Sequence, residues 1–200
     1  MTFWSQASSE PKRQHRFLVT FGNLDGYQEY LAKSVTKPNA TIGETPHKFL
    51  GNTYYYPGAV TWESVTCSII DGIGDNDGDF SLYKALLKSG YLVPQSSTES
   101  QQAGGSPQFG ASGLKGGTPN KVAAKSAVGS VLIKELDGKG ETVGMWTLRN
   151  AWITSINFGS LDYAGEELVT IELGLRYDWA DYKIYNPSDG EGDDASKAAL

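Results

Sequence analysis

Between positions 168 and 177, apolar Val169, Ile171, Leu173, Leu175 and Tyr177 alternate with Thr170, Glu172, Gly174 and Arg176. A period of two belongs to a strand with one buried and one wet face, and no other segment shows it so cleanly. The same pattern marks 16–22, where Phe17, Val19 and Phe21 share a face. The Asp25-Gly26 pair after it suits a tight hairpin whose return strand is 29–36. A second hairpin is expected from 46–50 and 53–56, with its turn at Gly51-Asn52 and its close at Pro57-Gly58. In 60–70 the apolar phase shifts between Trp62 and Val65, which a bulge near Ser64 or a bend would produce. Further strands are expected at 128–136, 142–148 and 151–158, separated by a turn at 137–140 and followed by a loop at 159–166.

One segment has helical spacing. In 81–89, Leu82, Ala85 and Leu86 fall on one face, Asp79 or Ser81 can cap the start, and Gly90 stops the run. From Pro94 to Asn120 the chain is rich in Ser, Gln and Gly and nearly devoid of apolar residues, so it cannot bury enough surface to offset the entropy of ordering. Gly 24 and Tyr 11 in 200 residues add turns and aromatics to this picture. The chain is therefore expected to be a single β-rich domain with many turns. An N-terminal arm occupies 1–14 and the domain 15–182, with a loop insertion at 94–126. A flexible acidic tail occupies 183–200.

Charge and candidate chemistry exclude more than they propose. A formal net charge of -6 argues against a surface that grips nucleic acid, which needs clustered Lys and Arg. A single cysteine, Cys67, cannot form an intrachain disulfide. No segment reaches the ~18 apolar residues of a membrane span, and 1–14 lacks the apolar run of a signal peptide. The acidic loop 71–79 fails as an EF-hand, because Ile73 falls at the first ligand and Lys84 at the closing glutamate. Gly138-Lys139 fails as a phosphate loop, because Ile133 stands where a glycine is required. His15 and His47 adjoin no nucleophile motif, and the carboxylates Glu166 and Glu167 read as solvated. No catalytic residue, metal site or cofactor is expected, and the chain is read as non-enzymatic.

What remains is interaction. Tyr54, Tyr55 and Tyr56 put rings on both faces of one strand, which suits a strand covered on both sides by protein. Phe49 in the same hairpin, Phe3 and Trp4 in the arm, and Trp179 and Tyr182 beyond the 168–177 strand are the other candidates for contacts between subunits. An aromatic β-sandwich module that binds a glycan is the alternative from another class.

The order of segments FLVTFGNL, AKSVTKP, YYYPGAVTWESVTCSII, one helix, and MWTLRNAWITSINFGSLDYAGEELVTIELGLRYDWADY resembles the tail tube proteins of contractile-tailed phages of the T-even type. The tubes of extracellular contractile injection systems look similar. The most specific parts are Tyr56-Pro57-Gly58 followed by Trp62, and Leu161-Asp162-Tyr163 followed by Tyr177-Asp178-Trp179. The resemblance implies an antiparallel β-sandwich or partly closed β-barrel with one flanking helix. Such chains would form hexameric rings that stack into a tube, the conduit for DNA ejection. It further implies partners: other copies of the chain, a tail sheath protein, a tape measure protein, baseplate and tail terminator proteins, and double-stranded DNA in transit without specific binding. The place would be the virion tail, assembled in the host cytoplasm. Within such a tube Thr170, Glu172 and Arg176 are candidates to face the lumen. The tube of an injection system and a baseplate tube initiator are the alternatives within the class.

Overall fold

The computed structural model describes residues 11–24, 27–74, 77–95, 115–185 and 193–194. In chain order its strands are β1 (Phe17–Phe21), β2 (Ala32–Val35), β3 (Ala40–Phe49), β4 (Asn52–Trp62), β5 (Val65–Ile70), β6 (Leu92–Gln95) and β7 (Lys115–Gly117). They continue as β8 (Val131–Leu136), β9 (Thr142–Arg149), β10 (Trp152–Asn157), β11 (Thr170–Arg176), β12 (Trp179–Ile184) and β13 (Asp193–Asp194). The helices are α1 (Gly78–Lys88) and α2 (Lys121–Val128). Two antiparallel sheets form the body, one ordered β1-β8-β9-β12-β13 and the other β10-β11-β5-β2. The expectation of a mainly antiparallel β-sandwich holds. Among the described residues both sheets stay open, and neither closes into a barrel.

The core lies between the sheets and under α1. Val19, Val131, Ile133 and Leu148 from the first sheet meet Val65, Cys67, Ile171, Leu173 and Leu175 from the second, with Leu82 of α1, all of them fully buried or nearly so. The alternation that marks β11 is what places it there. Its odd positions are buried, and it lies inside the second sheet between β10 and β5.

Several expectations need correction. β1 and β2 do not form a hairpin: β1 pairs with β8 and β2 with β5, in different sheets. Tyr27 packs back on β1, its ring edge-on to Phe21 and its hydroxyl donating to the carbonyl of Val19. The phase shift before Val65 is neither a bulge nor a simple bend within one strand. It is the passage at Glu63-Ser64 from β4 to β5, which belong to different sheets. Asp77, not Asp79 or Ser81, caps α1 by accepting from the Phe80 amide.

A second helix, α2, takes up the end of the expected 94–126 loop and the first residue of the expected 128–136 strand. Asn120 caps it by accepting from the Ala123 amide, and it buries Ala124, Ala127 and Val128. Lys121 ties its first turn to Asp178 at 2.7 Å. The segment after β11 is also a strand: every residue of β12 pairs with β9, from Trp179 opposite Arg149 to Ile184 opposite Gly144, and β13, in the expected flexible tail, pairs with Lys183 and Ile184.

Candidate functional site

The feature with the least support from its own chain is the β3–β4 hairpin. Its strands run ten and eleven residues, about 34 Å at the antiparallel rise. Every residue from Ala40 to Thr61 is exposed, and only Trp62 at the root is half-buried, with its ring against Tyr177. A two-stranded ribbon is marginal by itself in water, and this one receives little cover from its own chain.

The register sorts its side chains. Tyr54 lies opposite His47 and Tyr56 opposite Thr45, which puts both tyrosines on the face that also carries Phe49. Tyr55, opposite Pro46, and Lys48 occupy the other face. Nearer the root Ile42 and Val60 face each other, both exposed. The turn is Leu50-Gly51, one residue earlier than expected, with φ of 47° and 82°. Two positive φ values make the primed turn that matches strand twist. A leucine held there costs about 1 kcal/mol or more, and Leu50 is nevertheless 85% exposed at the tip. Strand β4 runs on through Pro57 past a register shift between Ile42 and Glu44, instead of ending there.

The wet face of the second sheet is the next candidate. Glu172 pairs with Ser68, Gly174 with Thr66 and Thr170 with Ile70, so the candidates Thr170, Glu172 and Arg176 share one face with small hydroxyl side chains. Ser155 of β10 lies opposite Gly174, where a Cβ would meet its Oγ at 2.3 Å, so glycine lets β10 approach. Among the described residues the outer strands of this sheet, β10 and β2, each leave one edge without a strand partner.

Trp179 and Tyr182 lie on opposite faces of β12. Trp179 is exposed beside Arg149, which pairs with Asp181 at 2.5 Å. Tyr182 points inward, with its ring 4.7 Å from Trp146. Its hydroxyl donates to Glu135 at 3.1 Å. Glu135, only 6% exposed, also receives the ammonium groups of Lys12 and Lys37. Burial alone would raise its carboxyl; the two lysines outweigh that and hold it below the usual carboxylate range. Phe3 and Trp4 lie outside the described residues.

Sequence reasoning expected a loop at 159–166 with solvated carboxylates at Glu166 and Glu167, and took Leu161 and Tyr163 only as part of the family resemblance, not as a contact surface. Leu161, Tyr163 and Leu168 are strongly exposed in the 158–169 loop. The loop frames a cleft of about 660 Å³ with Thr170 and Glu172. The visible signal was three large apolar side chains in a segment without strand or helix periodicity. Elsewhere, Cys67 is buried, and burial pushes its thiol up to about 12. Among the described residues no group of His, Cys, Asp and Glu is placed to hold a metal ion, and no helix is long and apolar enough to cross a membrane.

Neither a family model nor a curated protein matches this chain. Solved structures do. The chain is similar to one in the baseplate of the anti-feeding prophage, at 18% identity over 87% of this chain and 96% of that one, with a TM-score of 0.56. It is similar to one in the tube-terminating cap of that prophage, at 16% identity over 92% and 99%, with a TM-score of 0.55. It is also similar to one in the sheath-tube complex of an extracellular contractile injection system in the extended state, at 14% identity over 90% and 99%, with a TM-score of 0.53. At these identities the likeness is one of fold, and it extends over nearly the whole of each chain.

Proposed function

We propose that this chain is the repeating structural subunit of a contractile tail tube, assembling as stacked hexameric rings around a channel. The observation that carries the reading is the β3–β4 hairpin, an aromatic ribbon exposed on both faces in its own copy. Burying each such side chain in a neighbour would contribute about 1.5–3 kcal/mol. The fold shared with chains of a baseplate, a tube cap and a sheath-tube complex supports the same class.

Ring closure follows from the second sheet. Its open edges, β10 and β2, are a liability in a monomer and a bonding surface in a ring, where joining edge to edge leaves none free. In that arrangement its wet face, with Thr170, Glu172 and Arg176, lines the channel. Small hydroxyls and few charges suit a wall that lets a cargo slide. The net charge of -6 agrees in sign with a DNA cargo that must not stick. The fold likeness to chains of injection particles favours a second reading, in which the same tube serves an injection system and carries protein. Sheath, tape measure, baseplate and terminator proteins are the partners of either tube.

Negative-stain microscopy of the purified chain tests the proposal, with tubes of uniform width as the expected result. Replacing Tyr54 and Tyr55 by Ser should leave a folded protein with unchanged circular dichroism and no tubes. Wild-type tubes from that variant would remove the hairpin from the interface. A stable monomer that binds a sugar would favour a glycan-binding module instead.

A further inference from the structure

The hairpin and the 158–169 loop leave the second sheet at opposite ends. Val65 pairs with Leu175 and Trp152 with Arg176 at one end, and Ile70 pairs with Thr170 at the other. Strand β4 reaches Val65 through Glu63 and Ser64, so the hairpin is rooted at the first end. The loop joins Asn157 to Thr170 at the second. Six residues of strand, about 20 Å, separate the two roots, and the exposure of the hairpin along its length means it does not fold back over the body. Neither apolar patch can cover the other within one copy.

The patches match in chemistry. The hairpin tip presents Phe49 and Leu50, and Lys48 is the only Lys, Arg, Asp or Glu from Lys48 to Thr53. The loop presents Leu161, Tyr163 and Leu168 among the exposed carboxylates of Asp162, Glu166 and Glu167. It carries a turn at 162–165, where Asp162 accepts from the Ala164 amide through its side chain and from the Gly165 amide through its carbonyl. The loop is thus a shaped acidic and apolar seat beside its cleft.

We propose that the hairpin tip of one copy docks on the 158–169 loop of the next copy along the stack. Phe49 and Leu50 pack on Leu161 and Tyr163, and Lys48 faces the loop carboxylates. The contact is heterologous, using different surfaces of the two copies, and repeats without closing, which is the geometry of a filament. This assignment rests on the tube reading and adds to it the place where the hairpin lands.

Disulfide trapping tests it in the full-length chain, because the native thiol of Cys67 is buried and does not compete. In assembled material Leu50→Cys combined with Leu161→Cys should give a ladder of covalent multimers on oxidation, while neither single variant does. Lys48→Glu should raise the protein concentration needed for tubes by about tenfold, equivalent to ~1.4 kcal/mol per contact, and Glu167→Lys should restore it. Normal tubes from the Leu161→Ser, Tyr163→Ser variant, or assembled Leu50→Cys, Leu161→Cys material that gives no ladder on oxidation, would overturn the seat and leave the tube reading standing. Crosslinking of Leu50→Cys to itself would overturn it in favour of hairpin meeting hairpin. A chain that stays monomeric under every condition would overturn both.

Discussion

Glu135 stands where the alternation of β8 calls for an apolar residue: Val131 and Ile133 before it are buried on the same face. It is tolerated because three donors converge on it. Lys12 brings in the chain before β1, Lys37 the link between β2 and the hairpin, and Tyr182 the strand β12. Gly144 leaves the space, since a Cβ there would meet the Tyr182 hydroxyl at 2.3 Å. A carboxyl held below its ordinary range in the folded state contributes stability that is complete above the unfolded value and is lost as pH falls through the folded one. Glu135→Gln should therefore lose about 1–3 kcal/mol at neutral pH. Its urea midpoint should also depend less on pH below the ordinary carboxylate range than that of the parent. Equal acid-side slopes for the two proteins would show that Glu135 holds nothing together.

Elements differ in how far local sequence determines them. The ends of α1 are local: the Asp77 carboxylate accepts from the Phe80 amide, and Asp77→Ala should cost about 1 kcal/mol in thermal or urea unfolding. β11 was readable for the same reason, because its alternation reports a neighbour on one face only. What a strand pairs with is not local. β1 and 29–36 look like a hairpin because Asp25-Gly26 carries turn chemistry, yet the partner of β1 is β8, more than a hundred residues on. Helix α2 escaped notice because its buried face is mostly alanine, in Ala124 and Ala127, which adds little apolar contrast beside a Gly- and Ser-rich stretch. Trp179 and Tyr182 were legible as aromatics, but only the register against β9 sends one outward and the other inward. The hairpin shows a further device. Pro46 and Pro57 sit within its strands and lack the amide that edge pairing needs. Its faces are therefore available for contact while its edges are blunted against irregular β-addition.

At the scale of the molecule, the buried core and the exposed aromatic ribbon occupy separate parts of the chain. None of the core residues lies between Ala40 and Thr61, and the body is closed by contacts among β1, β5, β8, β9, β11 and the helices. Replacing 41–61 by a short Gly-Ser link should shift unfolding by no more than about 0.5 kcal/mol, as for a surface change, while abolishing tubes. A large loss of thermal stability in that variant would mean that the ribbon supports its own body. The separation has one more consequence, which follows from the hairpin and the loop emerging at opposite ends of one sheet. In the proposed stack a polymer of such copies would have direction. One tip would display a crown of unsatisfied ribbons and the other a rim of empty acidic seats, so the factor that starts growth and the factor that stops it would be chemical opposites. A starter that offers seats would receive ribbons, and a stopper would bring ribbons of its own or cover the seats. Subunits added between them would all point the same way, and the particle would inherit from a single chain the difference between its front and its back.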